Sequence, residues 1–406
     1  MNDSSRLTLR IEIARTLSGI RAEQWDALTD GNPFVSWAWL EAMERAGCVD
    51  GTTGWVSHHL LAWEGVRLVG AIPAYLKFHS YGEFVYDWAW ANLADRLGEP
   101  YYPKLIAASP FSPVTGPRVL VSPALLSEPM RYHAVFQALL EQARSAVDER
   151  RCTGLHVLFP DEAQHQLIEP SGARWLTRVA HQYHWHNRGY RDFEDFLEPF
   201  RSHRRKEIRR ERRIVRDAGF TVEAVSGSDI TEEMIDQVYA FYSDTTDRYM
   251  GGHRYLSRQF FGLVHERMPE AIVLFLARNR ESEVVAGTFN MRSQDRLFGR
   301  YWGSTVEAPY LHFETCFYAM IDYACAHGYK VIEPGAGGDH KYARGFEPVR
   351  TFSTHYMASP RMHMVLAQHL AREREFVSRE IDAMVEHSPL RIKETIQLPD
   401  GGNVEG

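Results

Sequence analysis

Cysteine is scarce in this sequence, and its spacing excludes two common ways of holding a fold together. The chain has four cysteines in 406 residues, at Cys48, Cys152, Cys316 and Cys325, and no two of them form a C-x-x-C pair. Such wide spacing favours buried free thiols in a reducing compartment over disulfide bonds or a zinc site. We therefore expect no bound metal.

Long apolar runs are missing as well, which argues against a membrane-spanning helix. Residues 271–277, AIVLFLA, are one of the longer uninterrupted apolar runs, whereas a helix needs roughly 18 apolar residues to cross a bilayer. The first residues, MNDSSRLTLRIEIART, contain no apolar core of a signal peptide. We therefore expect a cytoplasmic protein without a membrane span.

The chain also has no overall excess of positive charge. Its net charge is −7, so the surface as a whole does not attract nucleic acid. The hydrophobic fraction of 44% and the aromatic fraction of 12% allow sizeable buried cores. A chain of this length is expected to fold as about two to three domains.

One segment departs from this charge balance. Residues 200–216 contain nine Lys or Arg and two Glu, a local charge of +7 in a chain whose net charge is −7. Helical spacing predicts one basic face, which consists of Arg201, Arg205, Arg209, Arg212 and Arg216. Guanidinium groups bind phosphates well, so this face is a candidate for the phosphates of coenzyme A, a nucleotide-linked acceptor or tRNA. A solvated helix with ion pairs to Glu207 and Glu211 is the alternative.

The order of predicted elements repeats along the chain. A hairpin, a helix and a strand in the first half are followed by a second such series with a further strand. The first copy comprises Trp55–Trp63, Val66–Phe78, Tyr132–Asp148 and Leu155–Phe159. The second comprises 271–277, 284–291, Leu297–Trp302, Phe313–His327 and Lys330–Glu333. A chance order within α/β structure is the alternative to two related domains.

A small glycine-rich loop follows the last of these strands. It reads GAGGDHK from Gly335 to Lys341 and places an acid, an imidazole and a cation in consecutive positions. Glycine lets the backbone approach a ligand closely, and α/β proteins usually hold substrates in loops of this kind. A well-packed turn with a surface lysine is the alternative.

Acyl transfer to an amine would use these side-chain types. The reaction needs a base for the proton of the nucleophile and a donor group for the oxyanion. Asp339 or His340 suits the first role, and Lys341 or Arg344 suits the second. Glu314, at the start of a predicted helix, is either a further catalytic group or a carboxylate that favours the helix dipole.

Several aromatic and polar residues are candidates for contact with the substrate. The neighbouring strand and helix would line the cleft with Arg300, Tyr301, Trp302 and His312.

A second aromatic segment, HQYHWH, places three histidines close together in the sequence. It has no acid or cysteine among them, so a metal site is not expected. We expect the segment to face either the substrate, through His184 and Trp185, or the core.

Three motifs resemble those of a known family. GRYWG, LHFE and GAGGDHKYARGF, which lie between 299 and 346, are similar to the C-terminal signatures of the peptidoglycan biosynthesis/recognition N-acyltransferases. That family is a FemAB-like branch of the GNAT-fold transferases. Its usual loop reads GAQGEHK followed by RGF, so this chain departs from the pattern at Gly337 and Asp339. The resemblance extends from about Trp37 to the C-terminal helix.

The resemblance implies both a fold and an activity. The fold would be α/β with mixed sheets, in tandem GNAT-like domains with a basic connecting helix. The domains would be residues 1–175 and a catalytic 220–360, with a connecting segment at 176–219 and a C-terminal helix and tail at 361–406. The activity would be transfer of an acyl or aminoacyl group to an amine or hydroxyl of a small or cell-wall-related acceptor. Arg344 precedes Gly345-Phe346, a place where related Fem-like transferases have a cation tied to catalysis.

The donor is the open part of this interpretation. Acetyl-CoA-dependent GNAT domains carry a Q/R-x-x-G-x-G/A loop whose N–H groups hold the pyrophosphate, but here the connection reads GSTVEAPYL, with Glu307 and Pro309. This absence and the basic helix favour aminoacyl-tRNA, without a tightly bound cofactor, over acyl-CoA. An acyl-CoA-dependent N-acetyltransferase is the alternative. A non-catalytic module that recognises a muropeptide or nucleic acid through the Arg201–Arg216 face is the alternative of another class.

Overall fold

The structure, a computed structural model, describes residues 9–168, 175–249 and 254–391. Its strands are β1 (Leu9–Ala14), β2 (Trp55–Ser57), β3 (His59–Glu64), β4 (Arg67–Ile72), β5 (Ala74–Lys77), β6 (Lys104–Ala107), β7 (Leu120–Val121), β8 (Gly154–Leu158), β9 (Trp175–His186), β10 (Thr221–Ser226), β11 (Ile272–Arg278), β12 (Val284–Arg292), β13 (Arg296–Ser304), β14 (Val331–Glu333) and β15 (Glu347–Met357).

The helices include both members of the predicted pair that follows the hairpins. They are α1 (Ala22–Asp26), α2 (Trp37–Arg45), α3 (Trp88–Leu97), α4 (Pro129–Glu149), α5 (Glu162–Ile168), α6 (Phe193–Leu197), α7 (Ser202–Asp217), α8 (Glu232–Tyr249), α9 (Arg258–Arg267), α10 (Leu311–Phe313), α11 (Ala319–His327) and α12 (Pro360–Glu386). A π-helical turn, Glu314–Tyr318, joins α10 to α11.

The chain divides into two compact units. The N-terminal unit contains the residues up to 180, together with 255–263 and 351–375. The C-terminal unit contains 181–254, 264–350 and the residues from 376 onward. The basic helix α7 therefore belongs to the C-terminal unit.

In the N-terminal unit the predicted hairpin is present but bends between two sheets. Strands β3 and β4 pair around the Glu64-Gly65 turn in a small sheet of order β1-β3-β4-β7. Beyond the break at His58 and Pro73, β2 pairs with β5 in a second sheet. Proline has no N–H to donate to a ladder, which explains why the predicted long strand is interrupted here.

Helix α4 covers the N-terminal unit's sheets with its apolar face. Val135, Phe136, Leu139 and Leu140 are buried in one cluster with residues of β3, β4, β6 and β8. A side chain at Gly70 of β4 would come within 2.8 Å of Leu139, so glycine permits this close packing. The predicted amphipathic helix is therefore confirmed.

The C-terminal unit contains the sheet that positions the candidate site. Its strands lie in the order β10-β11-β12-β13-β14-β9, where β9 contributes Trp185 and His186. All neighbouring strands are antiparallel except β13 and β14, which run parallel. These two pair only from Arg296 to Phe298, because β14 ends at Glu333 and Pro334 follows it. Strand β13 continues to Ser304, so an opening remains beside its second half.

Helix α8 holds the free half of β13 in place. The Thr245 hydroxyl donates a 2.8 Å hydrogen bond to the Trp302 carbonyl. A Cβ atom at Gly303 would lie 2.7 Å from the Cβ of Phe241 and closer still to its carbonyl group. Only glycine lets the helix and the strand approach so closely.

Within the described ranges, no helix combines the length and the apolar character needed to cross a membrane.

We predict that Gly303→Ala destabilises the protein by about 1–3 kcal/mol, because the added methyl group overpacks the contact between α8 and β13. Urea unfolding measures the effect. Gly19→Ala is the matched control, since no atom lies within 4 Å of its added Cβ. Equal stabilities of the two variants would contradict the prediction.

Candidate active site

A cavity of about 280 Å³ occupies the opening between the free half of β13 and the loop after β14. Its walls come from β12, β13, the α10–α11 segment and the glycine-rich loop. The lining residues are Thr288, Asn290, Gly299, Arg300, Tyr301, Trp302, His312, Cys316, Phe317, Pro334, Ala336, Gly337, Gly338, His340 and Lys341. The sequence-predicted Arg300, Tyr301, Trp302, His312, His340 and Lys341 are thus brought together.

A β-bulge directs β13 toward the cavity. Phe289 of β12 pairs with Tyr301, whereas its neighbour Asn290 pairs with Gly299, so Arg300 is the extra residue. A bulge of this kind re-aims side chains and is frequent beside active sites. It places Arg300 and the two aromatic residues after it in the cavity wall.

Three rings surround the imidazole of His340. Its ring centroid lies 5.4 Å from that of Phe313, 5.6 Å from Phe317 and 5.8 Å from His312. Burial, followed by the charges of Lys341 and other nearby cations, lowers the pKa of His340 below its ordinary 6.5. His340 is therefore neutral at pH 7 and can accept a proton.

Gly338 makes room for this imidazole. A Cβ atom at Gly338 would lie 2.6 Å from the His340 ring, and the glycine has a φ of +89°. Both features require glycine at this position. The loop sequence G-D-H-K thus allows His340 to fold back over its own backbone.

Lys341 is almost completely buried in the cavity wall. Its Nζ donates hydrogen bonds of 2.7 Å to the Gly335 carbonyl and 3.4 Å to the Ala336 carbonyl. Burial lowers the pKa of Lys341 to about 8. Near neutral pH most of this amine is protonated, so it can donate a hydrogen bond to a developing oxyanion.

His312 provides a second neutral imidazole. It lies edge-on to the Trp302 ring, with 5.2 Å between the centroids. Burial, followed by the positive charges of neighbouring groups, lowers the pKa of His312 to about 4. This side chain forms an uncharged part of the wall.

Arg344 does not line the cavity, contrary to the prediction that it shares the cleft. Its guanidinium group forms a buried ion pair with Glu211 at 2.8 Å and donates to the His340 carbonyl at 2.9 Å. The same group lies 3.3 Å from the centroid of the Phe313 ring. With its donors committed in this way, Arg344 supports the loop and does not face a substrate.

Glu314 and Asp339 also lie outside the cavity lining. Glu314 points to the basic helix, where its carboxylate accepts a 2.9 Å hydrogen bond from Arg212. Asp339 accepts a 3.1 Å hydrogen bond from the Tyr183 hydroxyl. The prediction that both carboxylates share the cleft is therefore wrong, because each is oriented by a partner elsewhere.

Of the two open interpretations of the HQYHWH segment, the structure supports the core. This segment forms part of β9, and Trp185 is 1% exposed within the main cluster of the C-terminal unit. His184 is 2% exposed, with its Nε2 3.9 Å from a Glu333 oxygen. Burial lowers the pKa of His184 to about 3. Neither residue is among those that line the cavity.

Sequence reasoning missed four residues of the cavity wall. Thr288, Asn290, Cys316 and Phe317 line it, and Asn290 donates a 2.7 Å hydrogen bond to the Thr288 hydroxyl. The polar pair within the apolar strand VVAGTFNMR was the available signal, because polar residues in such a strand need partners. Cys316 carried no signal beyond its proximity to Glu314.

The predicted basic face of α7 is only partly open. Arg205 donates to the Glu198 carbonyl at 3.2 Å, Arg209 pairs with Glu194 at 2.5 Å, and Arg212 is bound to Glu314. Arg201 and Arg216 are exposed. The stripe therefore includes arginines that hold the fold together as well as arginines that face solvent.

A groove of about 520 Å³ adjoins the cavity and shares Trp302 and His312 with it. The carboxylates of Asp244 and Glu307 line this groove, with Arg248 as the counter-charge. The connection after β13 also uses backbone donors internally. The Thr305 N–H bonds to Val285, that of Val306 to Ser304, and that of Leu311 to Ala308.

For the residues in the three described ranges, no group of three or more His, Cys, Asp or Glu has an arrangement that could hold a metal ion.

Comparisons with known proteins agree with this architecture. The family model FemAB-like, described as peptidoglycan biosynthesis/recognition, matches residues 16–392. The solved structure of FemX is 11% identical, with a TM-score of 0.51, over 86% of this chain and 98% of that chain. Comparison of the sequence with curated proteins gives no match.

Two further solved structures are similar at lower scores. A tandem GNAT protein from the clavulanic acid biosynthesis pathway is 14% identical, with a TM-score of 0.46, over 87% of this chain and 99% of that one. The C-terminal domain of a putative lysylphosphatidylglycerol synthetase from Agrobacterium fabrum is 10% identical, with a TM-score of 0.48, over 85% and 95%. The family match covers most of the sequence, and the expected α/β fold with tandem GNAT-like domains is confirmed. The chain belongs to the FemAB-like family of peptidoglycan biosynthesis/recognition proteins.

Proposed function

We propose that the protein is an acyltransferase that moves an aminoacyl or acyl group onto the amine of a small or cell-wall-related acceptor. One observation supports this most directly. A neutral imidazole, His340, and a buried amine that is mostly protonated near neutral pH, Lys341, line the same cavity. Acyl transfer to an amine requires these two functions, a base and an oxyanion donor.

The proposed steps use these two groups in turn. The acceptor nitrogen attacks the donor carbonyl carbon and forms the C–N bond, while His340 takes the proton that the nitrogen loses. The carbonyl oxygen becomes an oxyanion, which the Lys341 ammonium stabilises. When the tetrahedral intermediate collapses, the bond from carbon to the leaving oxygen or sulfur breaks. The proton held by His340 passes to that leaving group.

The groove beside the cavity supports an aminoacyl ester donor over a coenzyme A thioester. A pyrophosphate at the end of β13 needs free backbone N–H groups and no negative charge nearby. Here Glu307 and Asp244 line the groove, Pro309 has no N–H, and neighbouring backbone donors are already bonded. An aminoacyl-tRNA does not require its phosphates to bind at this position.

A mass-spectrometric transfer assay tests the proposal. The purified protein is incubated with amine-bearing muropeptides and either a charged tRNA pool or acetyl-CoA. We expect the acceptor to gain the mass of an aminoacyl residue with charged tRNA. Modification by acetyl-CoA alone would overturn the donor assignment. Binding of acceptor without any transfer would favour a non-catalytic recognition module.

We predict that Lys341→Met lowers kcat on the order of 10²-fold or more while KM changes little, because an oxyanion donor acts mainly in the transition state. Steady-state kinetics of transfer measure this effect. Lys330→Met is the matched control, since its side chain is 74% exposed and it does not line the cavity. A large rise in KM with normal kcat in Lys341→Met would instead identify a binding residue.

We also predict a bell-shaped pH dependence of kcat. His340 is an effective base above its pKa, which lies below 6.5, and Lys341 stays protonated below about 8. Activity should therefore be highest between these two values. Lys341→Arg should move the alkaline limb upward, because arginine stays charged throughout this range. An alkaline limb that is unchanged in this variant would show that another group titrates there.

A further inference from the structure

We propose that a groove beside the basic helix α7 is a binding site for a phosphate-bearing ligand, with Arg213 and Arg216 as its main contacts. The groove has a volume of about 640 Å³. It is separate from the catalytic cavity and shares no lining residue with it. Its walls consist of Phe193, Glu194, Arg209, Arg212, Arg213, Val215, Arg216, Phe220, Thr221, Val222 and Glu314.

Packing divides the cations of α7 into two groups. Ile208, Glu211 and Val215 are the buried residues of this helix. Arg204 bonds to the Ala343 carbonyl at 2.5 Å, and Arg212 is held by two carboxylates. These inward-facing cations are used in folding and are not available to a ligand.

Arg213 and Arg216 belong to the second group. Both are exposed, and among the described residues neither side chain has a hydrogen bond or an ion pair within 4 Å. Arg216 exerts only a longer-range attraction on Glu314. Their spacing of three residues places them side by side on the helix. Two adjacent guanidinium groups can engage the oxygens of one phosphate or of two linked phosphates.

Arg209 can join this pair when a ligand binds. Its contact with Glu194 is between side chains that are 51% and 65% exposed. Exposed ion pairs of this kind contribute roughly 0–1 kcal/mol, so a phosphate can displace the carboxylate at little cost. Three guanidinium groups would then face the groove.

The groove has the size and lining of a ligand site. Pockets for small ligands commonly measure about 300–1,000 Å³. Phe193 and Phe220 supply apolar surface, and Thr221 supplies a hydroxyl. This combination suits a phosphate group attached to a less polar moiety better than it suits a lone inorganic ion.

The position of the groove relates it to the proposed reaction. Glu314 lines the groove, while Cys316 and Phe317, in the same π-helical turn, line the catalytic cavity. A substrate anchored in the groove by its phosphates would use binding energy remote from the reacting carbonyl. This role as a substrate anchor depends on the proposed acyltransferase function, whereas phosphate binding itself does not.

Fluorescence anisotropy and calorimetry test the proposal without an activity assay. The probes are uridine diphosphate, adenosine diphosphate and deacylated tRNA, each titrated at two salt concentrations. The test variant is Arg213→Glu/Arg216→Glu. The matched control is Lys206→Glu/Arg210→Glu, since these two residues are exposed on the same helix, undergo the same change of charge and do not line the groove.

We expect the groove variant to lose affinity on the order of 10²-fold, because each charged hydrogen bond contributes about 1.5–3 kcal/mol. The control should change far less. If tRNA is the ligand, the slope of log K against log salt should also fall by about 1.5, from two lost phosphate contacts.

The probes distinguish the sources of the phosphate. Binding of a nucleoside diphosphate that depends on Arg213 and Arg216 supports a nucleotide-linked substrate. Dependence of tRNA alone on these residues supports an RNA ligand. Equal losses in the groove and control variants would show a non-specific attraction to the helix and overturn the site. Absence of binding by all three probes would also overturn it, while transfer activity in the separate assay would leave the proposed function standing.

Discussion

The buried ion pair between Arg344 and Glu211 is the interaction on which the candidate site depends. It joins the basic helix to the glycine-rich loop, and Glu211 also accepts a hydrogen bond from the Tyr318 hydroxyl. Arg344 in turn donates to the His340 carbonyl and covers the Phe313 ring. Removing one member of a buried pair leaves an uncompensated charge, which commonly costs about 3–5 kcal/mol. The loop therefore has one well-defined position over the cavity.

The two units treat the same structural opportunity differently. Each has a pair of parallel strands, β6 with β8 in the N-terminal unit and β13 with β14 in the C-terminal unit. In the N-terminal unit a bridge between Gly116 and Pro160 extends the pairing, and the buried Arg118 donates a 2.7 Å hydrogen bond to the Leu158 carbonyl. In the C-terminal unit Pro334 ends the pairing and a cavity remains. This difference places the candidate chemistry in the C-terminal unit.

Much of the fold was predictable because its signals are local. The hairpins, α4, α7 and the segment from α10 to α11 follow from apolar periodicity and from turn residues such as Glu64-Gly65. The catalytic loop was predictable from its composition, and His340 and Lys341 do line the cavity. The swap of sheets at Pro73 and the core position of Trp185 were not predictable, because both depend on which distant strands pair.

The sequence by itself determined the order of elements, the family motifs and the chemical types available at the site. Tertiary structure alone decided which charged groups have partners. Glu211 and Arg344 are separated by 133 positions, and Arg212 and Glu314 by 102, so no local pattern relates them. The cost of burying an unpaired charge requires such partners to meet. That requirement removes Arg344 and Glu314 from the cavity and leaves Lys341 and His340 facing it.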